Sequence, residues 1–153
     1  MLPVEIGALP ENISIGGLEL RSRSSFHVSL LCVKDLIDTY GDNIPDLEQK
    51  ILTHFCTYVG EKDISFLRYK DVFRLAAFAE RKSVIVRCEV SGLDDFFYSL
   101  GSYLDVGIPL QPTHVTLYAL QPDMGIGLNN STAMEEKSVS VEVPVDVKRS
   151  LGF

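Results

Sequence analysis

Hydrophobic and polar residues alternate along two short segments, residues 26–33 and 113–120, as they do in a β-strand that buries one face. The apolar positions are Val28, Leu30 and Cys32 in the first segment and Val115, Leu117 and Ala119 in the second. At the alternate positions, each segment has a histidine two residues before a hydroxyl residue: His27 and Ser29, then His114 and Thr116. Because alternate side chains of a strand point to opposite faces, each strand is predicted to present an imidazole beside a hydroxyl on its open face.

Apolar residues at intervals of three and four predict two longer helices. Residues 46–59 form the clearer pattern and stop at Gly60, and residues 92–103 form the second, with Gly107 and Pro109 beyond its end. The other predicted elements are short helices at 34–40 and 131–136, the second capped by Ser131 or Thr132, and strands at 18–23, 64–69, 72–80, 83–90 and 138–143, with a tight turn at Arg81-Lys82. This mixture of strands and helices indicates an α+β protein.

No linker, low-complexity segment or run of charge divides the chain, so residues 1–153 are predicted to form a single domain. This length is sufficient to bury a substantial hydrophobic core. Each half of the chain contains a motif strand, a helix and further strands. The order of elements therefore predicts a weak internal symmetry, with one motif in each half.

The charge balance limits the kinds of partner that the protein can bind. The formal net charge is -7, with 21 acidic and 14 basic residues. Long nucleic acid is held mainly by many contacts between Lys or Arg and phosphate, so an acidic chain is a poor candidate for it. A small nucleotide or an RNA end remains compatible, because a local pocket can be neutral or basic.

The cysteines and the N-terminal segment bear on location. Cys32, Cys56 and Cys88 are an odd number without CxxC spacing, which favours reduced, mostly buried thiols over a disulfide framework or a metal site. Residues 1–10 lack the basic start of a signal peptide, and no apolar run is long enough to span a membrane. We therefore expect a cytoplasmic protein without membrane contact.

The two segments His27-Val28-Ser29-Leu30 and His114-Val115-Thr116-Leu117 resemble the paired histidine motifs of the two-histidine (2H) phosphoesterase superfamily. That superfamily includes RNA 2′,3′-cyclic phosphodiesterases, 2′-5′ RNA ligase-like proteins and 2′-5′ oligonucleotide hydrolases. The resemblance covers both motifs, their separation and the length of the chain. It implies two similar lobes, each an antiparallel sheet backed by helices, around a central cleft. It also implies His27 and His114 as the acid–base pair, with Ser29 and Thr116 binding phosphate.

The residue types fit such chemistry on physical grounds as well. Cleavage of a phosphodiester requires one proton to leave the nucleophile and another to reach the departing oxygen, and two imidazoles can do both near neutral pH. Hydroxyl groups can donate hydrogen bonds to the non-bridging phosphate oxygens. The chemistry requires no metal or other cofactor, and the sequence contains none of the usual metal-ligand spacings.

Other residues are weaker candidates for this site. Tyr118 follows Thr116 by two positions, so it is predicted on the same face, where it would contact substrate. His54 lies at the edge of the apolar stripe of the helix at 46–59, which favours a partly buried structural role. The loop at 124–130 follows the second motif and is expected to border the cleft. Four basic residues near the middle strands could reach phosphate, although solvated turns or ion pairs are the usual role of such residues: Arg74, Arg81, Lys82 and Arg87.

The expected function is therefore that of a metal-independent phosphodiesterase. Its substrate would be a small nucleotide or RNA end with a 2′,3′-cyclic or 2′-5′ linkage, or, in a particular variant, a cyclic oligonucleotide. A nucleotide-binding module without turnover is one alternative. Another is a structural protein in which the motifs are coincidental, since a histidine near a hydroxyl in a strand is commonly a surface or satisfied core residue. The basic residue that ligase-like members often carry close before their motifs is not evident here, which favours a smaller ligand over an RNA backbone.

Overall fold

The computed structural model describes residues 1–121 and 124–153 as an α+β fold. Its strands are β1 (Leu2–Val4), β2 (Asn12–Ile15), β3 (Leu18–Ser22), β4 (Phe26–Val28), β5 (Ser65–Phe78), β6 (Arg81–Ser91), β7 (His114–Ala119) and β8 (Ser138–Ser140). Its helices are α1 (Val33–Tyr40), α2 (Leu47–Glu61), α3 (Leu93–Leu104), α4 (Ser131–Lys137) and α5 (Val145–Ser150). The predicted α+β class is confirmed. None of these helices is both long and apolar enough to cross a bilayer.

The strands pair antiparallel in one sheet, with the order β1-β4-β7-β6-β5-β8. Strand β3 also pairs with β7, and β2 pairs with β3. The two halves of the chain are therefore joined in a continuous sheet, where two separate sheets were expected. Strands β4 and β7, which carry the two histidine motifs, are neighbours in it.

The register of β4 and β7 brings the two motifs together. Val28 pairs with Val115, and both side chains are completely buried. Continuing this antiparallel register by one residue places His27 towards Thr116 and Ser29 towards His114. The observed pairing therefore joins the two motifs at the residue that follows each histidine.

Helices α1, α2 and α3 cover one face of the sheet and form the main hydrophobic core with it. The core contains residues from the sheet and from these helices: Val28, Val84, Val86, Val115, Leu36, Ile51 and Phe96. The opposite face carries α4 and a smaller apolar cluster formed by Ala76, Ile85, Leu128 and Met134. His114 lies on this second face, because its core-facing neighbour Val115 points the other way.

Helices α2 and α3 confirm the two helices predicted from apolar spacing, but the middle strands differ from the prediction. Residues 65–78 form the single strand β5, with irregular pairing after Phe66 and after Tyr69. Such β-bulges let a strand continue through positions that break its alternation. The turn to β6 lies at Ala79 and Glu80, two residues before the predicted turn, with Ala79 in the left-handed region at φ 52°.

The first motif and the C-terminal part contain the other differences. Strand β4 ends at Val28, where the alternation predicted a strand as far as residue 33, and α1 already begins at Val33. Asn130 caps α4 by accepting a 2.8 Å hydrogen bond from the Ala133 amide, so the predicted caps Ser131 and Thr132 lie inside the helix. Strand β8 stops at Ser140, and the six-residue helix α5 was not predicted. This helix is too short to show a clear apolar period.

Candidate active site

A small pocket of about 90 Å³ is lined by residues of both motifs. It is lined by both predicted histidines and both predicted hydroxyl residues: His27, Ser29, His114 and Thr116. Arg23 and Ser25 line it from the segment before β4, and Gly125 and Ile126 line it from the loop after β7. The structure therefore brings the two motifs to one site, and the prediction that the loop borders this site is confirmed.

His27 is a half-buried residue on β4. Burial and the nearby positive charge of Arg23 lower the pKa of its imidazole below the ordinary 6.5. Both effects disfavour the protonated ring. His27 is therefore mainly neutral at pH 7 when the pocket contains no anion.

His114 is more deeply buried, with 9 % of its surface exposed. Its Nδ1 lies 3.0 Å from the carbonyl oxygen of Pro112. A carbonyl can only accept, so this hydrogen bond requires the proton on Nδ1 and leaves Nε2 of the neutral ring as an acceptor. Burial lowers the pKa of His114, and the charges of Arg87 and His27 lower it further, against the opposing effect of the Pro112 carbonyl.

Two arginines make the surroundings of the histidines electropositive. Arg23 lines the pocket, and Arg87 on β6 pairs directly with His114 on β7. The Arg87 guanidinium is held by a 3.1 Å hydrogen bond from Nε to the Thr113 carbonyl. Because each arginine lowers the pKa of one histidine, the same field favours a bound anion.

Sequence reasoning did not assign Arg23 to the site, because it precedes His27 by four residues. The Arg23 amide donates a 2.9 Å hydrogen bond to the Leu117 carbonyl on β7. The chain then turns back into β4, so the residues before and after this turn reach the same pocket. A basic residue at the end of the strand predicted over 18–23, shortly before the first motif, was the signal that could have identified it.

Gln111 is a second residue that sequence reasoning missed. Ser29 lies just beyond the end of β4, and the Gln111 side-chain Nε2 donates a 2.5 Å hydrogen bond to its backbone oxygen. Gln111 is only 6 % exposed, so this bond satisfies its buried side-chain amide as well as the half-buried Ser29 backbone. It also connects the segment before β7 to the first motif.

The prediction that Tyr118 shares a face with His114 and Thr116 is wrong. On β6, Ile85 pairs with Thr116 and Val84 pairs with Tyr118, so β7 contains one extra residue between these pairs. This β-bulge turns Tyr118 to the core side. Tyr118 is fully buried, and its hydroxyl donates a 3.0 Å hydrogen bond to the Pro10 carbonyl. It does not line the pocket.

Three other candidate residues make structural contacts. His54 lies outside the pocket, where its Nε2 is 2.8 Å from the Ser99 hydroxyl and its ring stacks on Tyr103, in agreement with the expected structural role. Arg74 is bonded to Ser138 and Glu135. Arg81 donates to the Gly125 carbonyl and thereby holds the loop that borders the pocket.

The lining groups of the pocket suit a small anion. Its polar groups are two imidazoles, three hydroxyls and one guanidinium, and no carboxylate from residues 1–121 or 124–153 is among them. Across those residues, no group of three or more His, Cys, Asp or Glu side chains could hold a metal ion. A tetrahedral phosphate matches the donors and the volume of the pocket.

Comparisons with protein-family models, with curated proteins and with solved structures found no match to this chain.

Proposed function

We propose that this protein is a phosphodiesterase of the 2H phosphoesterase type, which cleaves a 2′,3′-cyclic or 2′-5′ linkage in a small nucleotide, an RNA end or a cyclic oligonucleotide without a metal. One observation supports this above all: two histidines and two hydroxyl residues from distant parts of the chain line a single pocket of phosphate size. In the two-lobed arrangement of that superfamily, β4 and β7 would form the contact between the lobes.

The proposed reaction uses the two imidazoles in turn. For a 2′-5′ linkage, one neutral imidazole takes the proton of the adjacent 3′-hydroxyl, whose oxygen then attacks phosphorus. The bond from phosphorus to the 5′ oxygen breaks, and the other imidazole, protonated beforehand, gives its proton to that oxygen. The products are a 2′,3′-cyclic phosphate and a free 5′-hydroxyl. For a 2′,3′-cyclic phosphate, water takes the place of the attacking hydroxyl.

The remaining lining groups would stabilise the charge that develops on the phosphate. The Ser29 and Thr116 hydroxyls would donate to the non-bridging oxygens, and the Arg23 guanidinium would add a positive charge, since all three residues line the pocket. The phosphate would also favour the protonated imidazole that the reaction needs as its acid. Its negative charge raises the pKa of a neighbouring imidazole, so that substrate binding promotes uptake of the proton that the acid must later donate.

The experiment that tests this proposal measures turnover in the presence of EDTA. The panel contains 2′,3′-cyclic mononucleotides, 2′-5′ and 3′-5′ dinucleotides, and cyclic di- and trinucleotides, with products separated by chromatography. His27→Ala and His114→Ala are compared with His54→Ala, which removes the third histidine, outside the pocket. Removal of either member of an acid–base pair is expected to lower kcat by about 10²-fold or more, while His54→Ala retains activity.

Circular dichroism and thermal unfolding show whether each variant is folded. Activity that survives in both folded pocket variants contradicts the assignment of His27 and His114. Failure of the wild type to cleave any member of the panel contradicts the proposed hydrolysis of these linkages.

A nucleotide-binding module without turnover is the second candidate, and one observation favours it. Burial and neighbouring positive charge lower the pKa values of both histidines, so both rings of the unliganded pocket are mainly neutral at pH 7. The two candidates differ in the fate of a bound nucleotide, because a binding module releases it unchanged and an enzyme converts it. Chromatography of the nucleotide recovered from the protein after incubation decides between them.

A further inference from the structure

A larger open cleft of about 480 Å³ shares no lining residue with the histidine pocket, but its wall contains direct neighbours of His114. Pro112 and Thr113 in its wall immediately precede His114. Arg87, also in its wall, is the residue on β6 that pairs with His114. The wall of the cleft therefore contains both the residue that precedes His114 in the chain and the residue that pairs with it in the sheet.

The two cavities differ in size, and a nucleotide would place its phosphate in the smaller one and its nucleoside in the larger one. The histidine pocket, at about 90 Å³, can hold a phosphate but not the sugar and base attached to it. The neighbouring cleft falls within the range of about 300–1,000 Å³ typical of small-molecule sites. A nucleotide bound through its phosphate in the smaller cavity must extend out of it, and this cleft offers the adjoining space.

The charges of the cleft also differ from those of the pocket. Lys70 and Arg87 bring positive charge to its lining, while Glu89, Asp94 and Glu135 bring negative charge. Lys70 is 3.3 Å from a Glu89 carboxylate oxygen, which neutralises part of its charge locally. An anion gains little in such a cleft, whereas an uncharged nucleoside can donate hydrogen bonds to the carboxylates.

Leu67 gives the cleft an exposed apolar surface. On β6, Val90 pairs with Phe66 and Glu89 pairs with Arg68, so Leu67 is the extra residue of a β-bulge in β5. A bulge redirects the side chain that it carries, and Leu67, 59 % exposed, lines the cleft. A large aliphatic side chain in this position provides a surface on which the flat face of a nucleobase can pack.

The geometry points to a nucleoside-binding subsite in this cleft, which takes the base and sugar of a nucleotide whose phosphate lies between His27 and His114. Selection of substrates by this cleft rests on the proposed function. Binding of a nucleotide does not rest on it, since binding requires only that the phosphate occupies one cavity and the nucleoside the other. Leu67 packs against the base, and the carboxylate of Asp94, which lines the cleft at the first turn of α3, accepts from sugar hydroxyl or base N–H groups.

The test uses three probes that separate the two cavities: inorganic phosphate, an uncharged nucleoside, and the corresponding nucleoside 3′-monophosphate. Each is titrated into the wild-type protein while NMR follows the histidine ring signals and the methyl signals of Leu67, Val90 and Leu110. Phosphate is expected to move the histidine signals alone, and the nucleoside the methyl signals alone. The nucleotide should move both, and should bind at least about tenfold more tightly than phosphate because its two parts are linked.

Leu67→Glu is the variant that blocks the cleft, and Val139→Glu is its matched control. Both replace a strongly exposed aliphatic residue on a strand, but Val139 does not line the cleft. Leu67→Glu should lower the affinity for the nucleotide about tenfold or more while phosphate binding stays unchanged. Val139→Glu should change neither. Cleavage of a nucleotide substrate, where the wild type is active, should show the same selective loss in kcat/KM.

The outcomes for the two sites can be told apart. If phosphate fails to move the histidine signals, the proposed function is in error, and the nucleoside titration still decides the question of the cleft. Methyl signals that do not respond to nucleoside or nucleotide overturn the subsite. Equal nucleotide affinity in the wild type and Leu67→Glu overturns it as well.

Discussion

Single residues around the pocket show how much of its geometry depends on backbone contacts. The Pro112 carbonyl fixes the tautomer of His114, and Gln111 holds the backbone of Ser29. Neither contact could be deduced from the sequence, because each joins a side chain to a backbone atom placed there by tertiary structure. The four motif residues themselves were predictable, since strand alternation alone places each histidine beside a hydroxyl.

Gln111→Ala is expected to destabilise the protein by about 0.5–1.5 kcal/mol, because it removes the hydrogen bond that the buried Gln111 side chain donates to the half-buried Ser29 backbone. Urea unfolding followed by circular dichroism measures this loss. Gln49→Ala is the control, since Gln49 makes only an exposed hydrogen bond to Thr53 within α2. Equal stability of the two variants would show that the bond to Ser29 contributes little.

At the scale of the elements, predictions from local pattern succeeded where a strand or helix keeps its period and failed where the period is interrupted. Helices α2 and α3 have an uninterrupted apolar stripe and were predicted closely. Strand β7 contains a bulge after Thr116, and that single extra residue moved Tyr118 from the expected face to the core. A bulge depends on the partner strand, so the alternation within β7 alone could not indicate it.

Helix α4 provides a test at this scale, because it begins beside both the pocket loop and the cleft. Asn130→Ala removes the cap of α4 and should lower the free energy of unfolding by about 0.5–2 kcal/mol. Thermal or urea unfolding measures this change. Ser131→Ala serves as the control, since Ser131 is the first residue inside the helix and does not cap it. A larger loss in Ser131→Ala than in Asn130→Ala would contradict the assigned cap.

For the whole molecule, the α+β class was predictable from the mixture of patterns, whereas the single continuous sheet was not. Sheet order depends on which strands meet, and the pairing of β3 with β7 joins parts of the chain that share no sequence signal.

The burial of His114 in this sheet has a consequence for global stability. Its pKa in the folded protein is lowered, so the unfolded chain binds protons more readily near and below pH 6.5.

The contribution of neutral His114 to stability is therefore complete above the unfolded pKa and is lost as the pH falls through 6.5 towards the lower folded value. Wild-type protein and His114→Gln are compared by urea unfolding at about pH 7.5 and about pH 5.5. The wild type should lose more free energy of unfolding between these two values than the variant. Equal losses would show that His114 titrates alike in the folded and unfolded chain.

The meeting of β4 and β7 also has a kinetic consequence. The two strands lie far apart along the chain, and they pair in the sheet through Val28 and Val115. Contacts between distant segments form late, because closing a long loop costs entropy before any contact compensates for it. We therefore expect the pocket to form late in refolding, after α2 and the β5–β6 hairpin. The return of phosphate binding would then mark the moment at which the two halves of the chain have joined.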